Sequence, residues 1–121
     1  MFVSCTMDPA LKRMFLLSIE ESIEDQKRYI TEAKEKHGAS ATEWPSDSLS
    51  LIAVKAKQIG QERLKMKLAG ETLTETIHDV LYLQAAQQFG DETVDTWPMS
   101  TVIDIAVKMK AHYDAESKSS H

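Results

Sequence analysis

Residues 49–90 read LSLIAVKAKQIGQERLKMKLAGETLTETIHDVLYLQAAQQFG, and the fold follows from how this stretch divides. Leu49, Ile52, Ala53, Ala56, Ile59, Gly60 and Leu64 recur three and four residues apart, the period of a helix that buries one stripe. Ser46 or Ser48 can cap its start, and it is expected to run to Gly70, with Lys65 and Lys67 in the last turns where the helix dipole favours cations. A further helix is expected to open at Glu71, Thr72 or Thr74 and to close at Gly90, with Leu73, Ile77, Val80, Leu81 and Gln84 along one side. Only Gly70 and its neighbours would then separate the two helices, which makes them an antiparallel hairpin.

The flanks extend the pattern. Asp8 followed by Pro9 is a helix opening, no breaker follows until His37 and Gly38, and Leu16, Ile19, Ile23, Ile30 and Ala33 mark the inner side. Residues 38–45, GASATEWP, read as a loop whose Trp44 folds back on the core. Residues 90–99 read as a second loop, with Trp97 before Pro98. A last helix is expected from Ser100 or Thr101, capped by Thr101 with Asp104, its stripe being Val102, Ile105, Ala106, Met109 and Tyr113. No internal repeat is expected. The fold class is therefore all-α, a four-helix bundle-like single domain over residues 1–121 containing an antiparallel helical hairpin. An N-terminal arm at 1–8, whose Phe2 and Val3 could pack across a partner subunit, and a polar, flexible tail at 116–121 complete it.

Composition narrows the function classes. The chain has 121 residues, and its 14 Lys and Arg against 19 Asp and Glu give a net charge of −5, a field that opposes binding to duplex DNA. Four glycines and three prolines are too few for a turn-dense sandwich or a Gly-rich phosphate loop. The single cysteine, Cys5, offers no disulfide and no nearby histidine for nucleophilic catalysis, and suits a reducing cytoplasm. No apolar run has the length of a membrane span, and no signal peptide is expected.

Candidate chemistry lies on the hairpin. Lys57, Gln58 and Gln61 sit on one helix, and Glu75, His78, Asp79 and Tyr82 follow on the next at i, i+3, i+4 and i+7. Lys57-Gln58-Ile59-Gly60-Gln61 falls on an E-E-x-G-E motif with the glycine in register, and residues 76–83 resemble an E-x-x-D motif inside an apolar run. With the order Asp25-Gln26-Lys27-Arg28, His37-Gly38 and Trp44 ahead of it, the stretch 26–88 resembles the MazG-like all-α nucleoside triphosphate pyrophosphohydrolases, especially short phage-encoded members. The resemblance implies an acidic cluster holding Mg²⁺, which gathers a triphosphate and activates water, and a homodimer or higher oligomer.

The departures weigh against that chemistry. The first motif reads Lys, Gln and Gln where the family has carboxylates, and the second pairs either Glu75 with His78 or Asp79 with Thr76. An ammonium cannot ligate magnesium, and amide oxygens replace carboxylates poorly. Lys57 could instead stand where a cation would sit, paired with Glu75 or Asp79, or contact a phosphate together with Gln58, Gln61 and His78. A literal E-E-x-x-E occurs as Glu20-Glu21-Ser22-Ile23-Glu24 in the first helix and, with Asp25, reads as a solvated acidic face able to dock on a basic partner.

Two functions follow. The favoured one is a non-catalytic helical binding protein on a degenerate MazG-like frame, cytoplasmic, needing no cofactor and acting on a host protein or a nucleotide. The other is a Mg²⁺-dependent pyrophosphohydrolase of deoxynucleoside or nucleoside triphosphates with an altered acidic cluster drawn from Glu62, Glu75 and Asp79, which Glu20, Glu21 and Glu24 could join from the first helix, and no metal ligand is assigned.

Overall fold

The computed structural model describes residues 7–119. It contains four α-helices, α1 (Pro9–His37), α2 (Ser46–Leu68), α3 (Ile77–Phe89) and α4 (Met99–Ser119), and no strand among the described residues. The all-α bundle is thus the observed fold, and no helix among the described residues is long and apolar enough to cross a membrane.

Asp8 caps α1 as its sequence requires: the carboxylate accepts from the Ala10 and Leu11 amides at 3.1 and 3.3 Å, and Pro9 takes the first position. The buried stripe of α1 is Ile19, Ser22, Gln26, Ile30 and Ala33, so two polar residues replace the expected Leu16 and Ile23. Leu16 is exposed and Ile23 only half-buried, because the stripe passes through residues spaced 19, 22, 26, 30 and 33. In α2 the expected stripe holds from Leu49 to Gly60, and Leu64 is half-buried. Ser46 is the first residue of α2 and Pro45 its cap position, so neither Ser46 nor Ser48 caps it through its side chain.

The start of α3 differs most. It begins at Ile77 rather than at Glu71, Thr72 or Thr74, leaving a non-helical segment between α2 and α3 that is extended at Thr76. Three threonines at alternate positions favour extended backbone there, and the segment has tertiary work. Glu71 accepts the Met7 amide at 3.2 Å and pairs with Lys12 at 2.8 Å, while Leu73 packs against the cluster of Ile19, Ile59 and Met66. Met7, inside the expected arm, packs on the same cluster; Phe2, Val3 and Cys5 lie outside the described residues. The buried side of α3 is His78, Asp79, Leu81, Tyr82 and Ala85, which leaves Gln84 exposed and turns the face away from the expected one. The helices nevertheless pair antiparallel, since Lys67 meets Asp79 and Gly60 meets Tyr82.

At the last helix the five expected stripe residues are all buried. Its start at Met99 precludes a cap at Thr101, and Asp104 pairs instead with Lys108 at 2.9 Å; the helix continues through Ser119, into the stretch expected as a tail.

The two loops are built alike, which overturns the expectation of no repeat. Gly38 and Gly90 each end a helix at φ near +90° (93° and 86°), a region that favours glycine. A 3₁₀ turn follows each (Ala41–Glu43 and Val94–Thr96), then Trp-Pro, then a helix. Trp44 Nε1 donates to the Gly38 carbonyl and Trp97 Nε1 to the Gly90 carbonyl, both at 2.8 Å. Ile-Ala-Val-Lys recurs at 52–55 and 105–108, eight residues after each tryptophan. Each turn packs on the other half's second helix, the first on α4 and the second on α2, so one core joins both halves.

Candidate functional site

The motif residues of the hairpin do not converge. Gly60 lies where α2 and α3 approach so closely that a Cβ there would meet the Tyr82 Cβ at 2.4 Å, which explains the glycine in structural terms. One position on, the Gln61 amide donates to the Asp91 carbonyl at 3.1 Å, and the Tyr82 hydroxyl donates to the Asp91 carboxylate at 3.1 Å, so both fasten the loop after α3. Lys57 is half-buried and makes no ion pair among the described residues, with Glu75, with Asp79 or otherwise. Glu75 is exposed and precedes α3, so it does not share a helix with His78, and the register of the second motif that pairs Glu75 with His78 does not form on one face.

Asp79, the carboxylate of the second motif that lies on α3, is buried at 3% exposure and fully engaged. Its Oδ1 accepts from Arg63 Nε at 3.0 Å; its Oδ2 accepts from Lys67 Nζ at 3.1 Å and from the Thr76 amide at 3.0 Å. The last contact is the return half of a capping box and fixes where α3 begins. Arg63 also donates to the Thr74 carbonyl, fastening the segment between the two helices to α2. Burial alone would raise the Asp79 pKa, but the Arg63, Thr76 and Lys67 hydrogen bonds outweigh it and hold the carboxyl below its ordinary value.

His78 points the other way. Its Nε2 lies 3.2 Å from Gln26 Oε1 and 3.0 Å from the Tyr113 hydroxyl. Gln26, wholly buried, donates through Nε2 to the Ile52 carbonyl at 2.8 Å, and its Oε1 accepts from the Tyr113 hydroxyl. With the tyrosine proton directed at Gln26, His78 is the Nε2–H tautomer and donates. Burial, joined by the charges of His112 and Arg63, drives the imidazole pKa down to about 4, so the ring is neutral. The group links α1, α2, α3 and α4, and engages His78 Nε2 with Gln26 and Tyr113 rather than with Lys57 or Gln58.

What the structure does bring together is an open cleft of about 500 Å³ between α1 and α2, lined by Glu21 and Asp25 from one helix and Gln58, Gln61 and Glu62 from the other. One acid of the cleft is matched, Asp25 pairing with Lys55 and with Arg28, each at 3.2 Å, while Glu21, Glu62 and Lys65 make no ion pair among the described residues. No group of three or more His, Cys, Asp or Glu side chains among the described residues could hold a metal ion. Glu20 and Glu24 are exposed on α1, Glu24 near Lys27 at 3.9 Å. Sequence reasoning missed Arg63 as a partner of Asp79. Its signal was the i, i+4 spacing of Arg63 and Lys67, which puts two cations on the α2 face toward α3. Comparison with family models, with curated proteins and with solved structures finds no match for this chain.

Proposed function

We propose that the protein is a non-catalytic binding protein that works through contacts of its helical surface with another macromolecule, on a frame related to that of the MazG-like hydrolases. The engagement of both Asp79 oxygens by Arg63 and Lys67 carries this reading. A carboxylate that served magnesium would keep an oxygen directed at the ion, with further oxygen donors close by. Here two cations of the protein neutralise it, and the other motif positions are a lysine and two amides. Removing a partner from such a buried pair is costly, so the arrangement belongs to the folded scaffold.

The surface that suits contact is the outward side of α1, where Met14 and Leu17 are 65% and 52% exposed beside Glu20, Glu21 and Glu24. The test is incubation with a panel of deoxynucleoside and nucleoside triphosphates and Mg²⁺ or Mn²⁺, following pyrophosphate release and melting temperature together. No release and no nucleotide-dependent shift are expected. Metal-dependent release would contradict the reading and restore the pyrophosphohydrolase, with Glu62, Glu75 or Asp79 as its acids.

A further inference from the structure

We infer that the outward face of α1 pairs with the same face of a second copy of this chain, the helices running antiparallel across a twofold axis at Leu17. The inference rests on reading α1 as the contact face. The core stripe of α1 passes through Ile19, Ser22, Gln26 and Ile30, and a helical period of 3.6 residues puts Arg13, Leu17, Glu20, Glu21 and Glu24 on the opposite side, with Met14 at its edge. All of these are exposed. Along this face the order is cation, apolar, anion: Arg13 lies one turn before Leu17 and Glu21 one turn after it.

Such a strip is complementary to its own reversed copy. With Leu17 on the axis, Arg13 of each chain opposes Glu21 of the other, and Met14 opposes Glu20, whose methylenes cover the thioether. Arg13, Glu20 and Glu21 have no ion-pair partner among the described residues, unlike Lys12, Asp25 and Arg28, which are used within the chain. A parallel pairing would set like charges against each other, so the pattern selects the antiparallel twofold. Two apolar side chains per chain make a small core, which places the pair among weak, concentration-dependent dimers rather than obligate ones.

Sedimentation velocity over a concentration series tests this on the full chain. The wild type is expected to pass from monomer to dimer, and Leu17→Glu to raise the dissociation constant about tenfold or more. Arg13→Glu alone and Glu21→Arg alone should each be monomeric, because each sets like charges together, whereas their equimolar mixture should dimerise, because both cross-pairs are then opposite. All three positions are exposed, and circular dichroism on the same samples confirms folding. A wild type that stays monomeric, a dissociation constant that Leu17→Glu leaves unchanged, a dimer that survives either charge reversal, or a mixture that remains monomeric overturns the proposal. Pyrophosphate release measured on the same wild-type sample separates the two readings: turnover overturns the binding function, whereas a monomer without turnover overturns the self-pairing.

Discussion

Asp79 and Gly60 show how a residue that reads as catalytic in sequence becomes structural in three dimensions. Both occupy motif positions, yet Asp79 is held by Arg63 and Lys67, and Gly60 is there because Tyr82 leaves no room for a Cβ. Asp79→Asn leaves two partly buried cations without their counter-charge and is expected to destabilise the fold by about 3 kcal/mol, read from urea unfolding midpoints. Gly60→Ala forces α2 and α3 apart and is expected to cost roughly 1–3 kcal/mol despite alanine's better helix propensity, read from the same curves. Lys57→Ala, at a half-buried position without an ion pair among the described residues, should shift the midpoint little. Sequence alone could place these residues on their helices. It could not say which way Asp79 faced, because the face of α3 turns on hydrogen-bond partners for His78 and Asp79 that lie on other elements.

At the scale of elements, the buried trio of Gln26, His78 and Tyr113 ties α1, α3 and α4 together, with Gln26 also bound to an α2 carbonyl. Because His78 folds neutral with its pKa lowered from 6.5 to about 4, the unfolded chain binds more protons between those values. Stability is therefore expected to be present in full above pH 6.5 and to fall as pH drops toward 4, by roughly 3 kcal/mol from this group. The carboxylates Asp79, Asp114 and Glu71, whose pKa values are lowered, add their losses only below the ordinary carboxylate range. Melting temperatures from pH 7 to 4 check the sign, and His78→Gln, which cannot titrate, should flatten the slope. Helix number and the stripes of α2 and α4 were legible because their buried positions are apolar and periodic. The inner faces of α1 and α3 were not, because each buries polar side chains that a hydrophobic pattern counts as outside.

For the whole molecule, two helix–turn–helix halves share one loop design and one core. The repeat was present in the sequence as two Trp-Pro pairs and two Ile-Ala-Val-Lys runs at matched spacing; loops of unequal length hid it, seven residues from Gly38 to Trp44 against eight from Gly90 to Trp97, counted inclusively. Trp44→Phe and Trp97→Phe each remove a hydrogen bond to a helix-ending glycine and are expected to cost similar amounts, about 1–2 kcal/mol. Because the main core takes residues from both halves, unfolding should be one transition, with tryptophan fluorescence and far-ultraviolet circular dichroism coincident.

The measurement closest to the central claim is Mn²⁺ binding by electron paramagnetic resonance, with a deoxynucleoside triphosphate present, on the wild type and on Asp79→Asn below its melting temperature. If Arg63 and Lys67 are the cations that Asp79 serves, the two proteins leave the same fraction of Mn²⁺ free as the nucleotide alone. Mn²⁺ and nucleotide retained by the wild type and released by Asp79→Asn would contradict it.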